Sequence, residues 1–166
     1  VIIDGSSEPD CAAAPVVELN GAGAGAGAAG LRLTGTADGS TIHGLAINRF
    51  QWGIEVDYNS NGHLITGNRI GTSVDGLGDL GNVNSGIWLK GDNVTVGGDS
   101  PAERNLISGN DGYGLYVIGS NFVVSGNWIG VSCGSGRPRI GASITACSSA
   151  CILVRTRATP CSQSSI

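Results

Sequence analysis

Methionine is absent from this sequence, histidine occurs only twice, and aromatic residues make up 5% of it. The core must therefore be built from valine, isoleucine, leucine and alanine. Chemistry that leans on histidine has only His43 and His63 to use. Charged residues are 13% and the net charge is −4, which argues against a nucleic-acid partner, since such a partner wants clustered Lys and Arg. No apolar run reaches the roughly 18 residues of a membrane-spanning helix. Proline is scarce and the glycines do not recur at every third position, which excludes collagen. No secretory leader precedes Val1-Ile2-Ile3, so the chain reads as a mature product or an excised piece that opens within a strand.

Glycine is what the chain has in excess, 29 residues of 166, against roughly 7% in ordinary proteins. Many of these glycines belong to one repeated phrase. Leu64-Ile65-Thr66-Gly67-Asn68-Arg69-Ile70-Gly71 returns as Val123-Val124-Ser125-Gly126-Asn127-Trp128-Ile129-Gly130, with a shorter copy at Leu106-Ile107-Ser108-Gly109-Asn110. Repetition at such spacing marks a solenoid, in which each repeat is a coil stacked on the next. In this reading Asn68, Asn110 and Asn127 line one corner, and their amides hydrogen-bond along the stack.

Val1–Gly5 and Pro15–Leu19 read as strands, and so do Leu31–Thr34 and Thr41–Ile47. Between them, Gly21–Gly30 is a Gly/Ala run, either a flexible connector or a corner where small residues let backbones approach; the strand-like text on both sides favours the corner. No segment carries a helical apolar period, so almost no helix is expected. Gly53-Ile54-Glu55-Val56-Asp57, Gly86-Ile87-Trp88-Leu89-Lys90 and Gly114-Leu115-Tyr116-Val117-Ile118 can be laid over one another. Because strand side chains alternate, Ile54/Val56, Ile87/Leu89 and Leu115/Val117 face inward. Glu55, Trp88 and Tyr116 then form an outward column, with Asp57 and Lys90 beside it.

On these residues the chain resembles bacterial right-handed parallel β-helix repeat proteins, the group with pectate-lyase-like architecture. The matching text includes Pro15–Ala22, Gly44–Phe50, Gly67–Thr72, Ala102–Asn110 and Gly126–Gly130 and covers roughly residues 1–132. The resemblance implies an all-β, right-handed parallel β-helix of about five to seven coils in a secreted or cell-surface protein. It does not imply an enzyme, since the Asn-Thr-Asp and Gly-His-Gly phrases of polygalacturonases are absent. Residues 133–166 depart from the pattern. They hold Cys133, Cys147, Cys151 and Cys161, four arginines and no acid. Such a break is what a shifted frame, a cloning junction or an unrelated cap would produce, and Ala150–Val154 is text for one further strand. A bare solenoid end invites end-to-end homo-association.

The cysteine spacing fits no zinc pattern, and disulfides such as Cys147 with Cys151 or Cys161 are the plausible use of these thiols. Among the acids, Glu55 and Asp57 lie two apart on one strand face, the kind of carboxylate pair glycoside hydrolysis uses. His63 is the candidate general base beside Asp57, with a part-exposed corner histidine as the plain alternative. Asp75 is an assisting candidate. Trp88, Tyr116 and Lys90 are the candidate carbohydrate-binding residues, since aromatic faces suit the apolar side of a sugar. The loop Asp75–Asn82 looks faintly like a calcium loop but lacks the closing Glu of an EF-hand, so no cofactor is expected, with calcium the one candidate. The sequence thus predicts an extracellular or surface β-helix module that binds extended polysaccharide along this face. A hydrolase or lyase using the carboxylates is the alternative, and a stalk fragment without a ligand is a third.

Overall fold

The computed structural model describes residues 1–7, 15 and 17–130, together with the backbone of Ile144–Ala146 and Leu153–Arg155. The five cysteines, and with them the expected disulfides, lie outside the described residues.

The chain passes through strands in threes. The first turn holds β1 (Ile2–Asp4), β2 (Val17–Asn20) and β3 (Ala29–Leu33), and the second β4 (Thr41–His43), β5 (Leu45–Asn48) and β6 (Trp52–Val56). The third holds β7 (Leu64–Thr66), β8 (Arg69–Ile70) and β9 (Ser85–Leu89), and the fourth β10 (Thr95–Gly97), β11 (Leu106–Ile107) and β12 (Tyr113–Val117). The fifth has β13 (Val123–Ser125), β14 (Trp128–Ile129) and β15 (Ile144–Ala146), and β16 (Leu153–Arg155) opens another. Each strand pairs in parallel with the strand three places on, which gives three sheets: A (β1-β4-β7-β10-β13-β16), B (β2-β5-β8-β11-β14) and C (β3-β6-β9-β12-β15). The protein is all-β and solenoid-like. Among the described residues the helical content is one 3-10 turn at Pro101–Glu103.

Parallel pairing in register brings like residues together. In sheet A, Ile3, Ile42, Ile65, Val96 and Val124 stack. In sheet C, Leu31, Ile54, Ile87 and Leu115 stack beside Leu33, Val56, Leu89 and Val117. Almost all of them are buried and form one continuous core, each fully buried side chain contributing roughly 1.5–3 kcal/mol. The second residue of each of the first four strands of sheet C is a glycine: Gly30, Gly53, Gly86, Gly114. A Cβ on Gly30 would lie 2.7 Å from the carbonyl oxygen of Gly53, one on Gly53 2.5 Å from that of Gly86, and one on Gly86 2.7 Å from that of Gly114. The turns can stack at this edge only without side chains.

Asparagine seals the corners. At the A-to-B corner, the Asn68 backbone N–H and Nδ2 both donate to Asn105 Oδ1, at 2.9 and 3.0 Å. Asn105 repeats the motif onto Asn127 Oδ1, at 3.1 and 2.9 Å. These amides satisfy backbone carbonyls that would otherwise be buried unpaired, among them Ile42, Ile65 and Val96. Asn110 does not belong to this row as expected. It lies at the B-to-C corner, where its Oδ1 accepts from Asn82 Nδ2 at 2.8 Å. The reason is register: Leu106–Ile107 pairs with Arg69–Ile70 in sheet B, not with Leu64–Ile65 in sheet A. The Gly/Ala run also differs from expectation. Gly21 and Gly30 do lie tight against Phe50, but Gly23, Gly25 and Gly27 have open space around them, so the middle of the run is an exposed loop.

Candidate functional site

The outward side of sheet C carries the densest grouping of charged and aromatic side chains among the described residues. Register sets Arg32, Glu55, Trp88 and Tyr116 at equivalent places on β3, β6, β9 and β12. Lys90, just past the end of β9, reaches back over the preceding turn. Its Nζ lies 2.6 Å from Glu55 Oε1 and 2.7 Å from Asp57 Oδ1. From the other side the Arg32 guanidinium grips Asp57 with two hydrogen bonds, Nε to Oδ2 at 2.9 Å and Nη2 to Oδ1 at 3.2 Å, and stands 3.5 Å from Glu55 Oε2. Two acids and two bases cancel. The side chains of Glu55 and Lys90 are 7% and 8% exposed, that of Asp57 21% and that of Arg32 57%, so the solvent meets chiefly the guanidinium.

Ionisation follows from this geometry. Hydrogen bonds from Arg32, then from Lys90, hold the Asp57 carboxyl below its ordinary range. Burial works against the Lys90 charge, but hydrogen bonds to Asp57 and Glu55 outweigh it and hold its pKa above the ordinary value. The Arg32 pKa is raised by its hydrogen bond to Asp57 and by Glu55. A general acid must keep a proton near the working pH. Asp57, fixed between two cations, does not suit that role, and Glu55 lies buried in the same salt bridges.

The aromatic rings extend the network along the stack. Trp52 and Trp88 have centroids 5.3 Å apart, Trp88 and Tyr116 6.2 Å, and Tyr116 and Tyr113 5.1 Å. Lys90 Nζ sits 4.2 Å from the Trp88 centroid and 5.6 Å from that of Tyr58, a cation–π arrangement in a partly desolvated place. The rings stand against one another, so their faces are partly covered by neighbours. Trp52, Trp88 and Tyr116 are half-buried, while Tyr58 and Tyr113 are exposed. Simple alternation places Trp52 with the inward Ile54, and only the paired turns reveal that its ring joins the row. Arg32 and Tyr58 were equally invisible, because each reaches the network from a different turn or from a corner.

The remaining candidates lie elsewhere. His63 is neither part-exposed nor bonded to Asp57. It is 1% exposed, with Nδ1 accepting the Ser40 N–H and Nε2 against Ser60 Oγ. His43 pairs with Thr66 in register, and its Nδ1 is 3.0 Å from Thr66 Oγ1. Asp75 is on the connection leaving sheet B, where its Oδ1 accepts the Leu77 N–H at 2.9 Å and the Ser73 hydroxyl. The Ser73 bond, then the Leu77 bond, lower its pKa, so it is an ionised turn residue. With Glu18, Asn20 and Arg49 it lines a broad, open hollow on the side of sheet B. Among the described residues no three His, Cys, Asp or Glu side chains converge as metal ligands would.

Fold and site define an all-β, solenoid-like protein whose sheet C carries an ion-paired, aromatic outer face. No family model matches the chain, and no curated protein or solved structure matches it either.

Proposed function

We propose that this chain is a right-handed parallel β-helix module of an extracellular or cell-surface protein, and that it binds extended carbohydrate along sheet C without cleaving it. The handedness rests on the strong right-handed bias of crossovers between parallel strands of one sheet, about 98% of cases. The reading of binding rests on one observation, the row of rings from Trp52 through Trp88 and Tyr116 to Tyr113, running across the turns beside a rigid guanidinium. Such a row offers sugar C–H groups a dry edge in successive turns, and Tyr58 and Tyr113 supply the accessible ring surface. The ionised, doubly bridged Asp57 favours recognition over proton transfer.

The test is affinity electrophoresis over a panel of polysaccharides, coupled to assays for new reducing ends and for unsaturated products. Retardation by at least one glycan, weakened on the order of tenfold by Tyr113→Ala, with no product released, is the expected result. Release of product that disappears in Asp57→Asn would establish an enzyme instead. The absence of retardation by every glycan would leave only a structural role.

A further inference from the structure

Where the second to fifth turns enter sheet A, the residue before the strand is Ser40, His63, Val94 or Phe122 in turn, and all four are buried. His63 is the titratable member of a column that otherwise belongs to the core or to the backbone. Its ring makes a directional set of bonds. The Ser40 backbone N–H, which can only donate, points at Nδ1 at 3.2 Å. Nδ1 therefore carries no proton, and the proton of the neutral ring is on Nε2, 2.9 Å from Ser60 Oγ. The Ser60 hydroxyl in turn donates to the Thr34 carbonyl at 2.8 Å. Ser40, Thr34 and Ser60 are thus joined through one imidazole across two stacked connections, residues 34–40 and 57–63. A second proton, on Nδ1, would face an N–H donor in a space closed to water.

We propose that this relay is an acid-operated latch, in which protonation of His63 parts the 34–40 connection from the 57–63 connection and loosens the edge of the solenoid at β1 and β4. The charged groups around the ring are few. Asp38, on the 34–40 connection, would favour the cation, but its Oδ1 is taken by the Asn61 N–H at 2.7 Å. The Val1 amino group, 3.4 Å from Ser40 Oγ, opposes it. Asp92, on the following connection, directs its carboxylate to the Ser120 N–H. Burial is the largest influence, and it holds the ring below its ordinary pKa. The sign follows. The latch is fully closed above the unfolded-state value of about 6.5, and it weakens as pH falls below that, because the opened chain takes up a proton that the closed ring refuses. Carboxylates stay ionised through most of this window, which separates the latch from general acid unfolding.

Native-state hydrogen exchange, corrected for intrinsic rates, reads this directly. Between about pH 7.5 and pH 5.5 the amides of Gly39 and Leu64, which bond across the two connections, lose protection several-fold, with about tenfold the ceiling for one histidine. Those of Ile87 and Leu89 do not. In His63→Phe, which copies the residue found at position 122, the acid response disappears. His63→Gln, which keeps an acceptor for Ser40, serves the same purpose if the phenylalanine variant does not fold. Unchanged protection at Gly39 and Leu64 in the native protein, or an acid response that survives in either folded variant, overturns the proposal.

Discussion

Lys90 and Arg32 bring the same charge to the same two carboxylates, yet their removal should have unequal consequences. Lys90 is the buried partner, and Lys90→Met leaves Glu55 charged in a dry place with only the outer guanidinium nearby. Breaking a buried pair from one side costs about 3–5 kcal/mol, so the midpoint of urea unfolding should fall sharply. Arg32 is mostly exposed, so its loss should lower the urea midpoint only slightly. That small cost is present at neutral pH and fades in acid. A carboxyl whose folded pKa is depressed contributes stability that is present above its unfolded value, about 3.9, and lost as pH falls through the folded value. The first cause of the depression in Asp57 is the Arg32 hydrogen bond. Arg32→Ala should therefore unfold at slightly lower urea than the native protein at neutral pH, with the difference vanishing as pH falls through the folded value, followed by the fluorescence of Trp52 and Trp88. Equal midpoints of the two proteins at neutral pH would mean that the bidentate contact carries no weight.

The strands themselves are short, and what aligns them is as much the absence of side chains as their presence. Near the start of β3, β6 and β9 a glycine lies under the carbonyl of the next turn, so Gly53→Ala must displace Gly86 or lift β6 from the stack. Overpacking of this kind costs typically about 1–3 kcal/mol, and calorimetry should show a clear loss. Gly23→Ala, in the open part of the Gly/Ala loop, should be silent. Equal losses in both would remove the steric explanation. These elements were partly legible in the sequence. The Gly-Ile-x-Val text announced the glycine and the inward pairs of sheet C together, because one strand contains both. The Gly-Asn phrase was ambiguous, because the corners A-to-B and B-to-C pose the same problem, a buried turn with unpaired carbonyls, and receive the same answer. Only pairing assigns Asn110 to one corner and Asn105 to the other.

At the scale of the molecule, a solenoid has no long-range core to hold its ends, and each turn is stabilised by the turns on either side. The ionic network could be anticipated as a column through Glu55, Trp88 and Tyr116 with Asp57 and Lys90 beside it, but without Arg32 and without the ion pairs themselves. Its closure by Arg32 depends on connections of unequal length, which spacing alone does not align. The change of composition after Ser132 was plain in the sequence, but the pairing across it was not, since that text has none of the Gly-Asn marks of the earlier turns. Ile144–Ala146 nonetheless lies in register on Leu115–Val117, and Leu153–Arg155 on Val123–Ser125. These two strands cover the open edges of sheets C and A. Removing residues 131–166 would leave the N–H and C=O groups of β12 and β13 unpaired over an apolar interior, and an edge of that kind recruits another strand. The truncated chain should therefore associate as concentration rises, in light scattering behind size-exclusion chromatography, to a greater extent than the full chain. It should also lose exchange protection first at Leu115 and Val124, and last in the second and third turns. A truncated chain that matches the full one in both association and protection would show that β15 and β16 contribute nothing to the stack, and that the fifth turn is closed by its own residues.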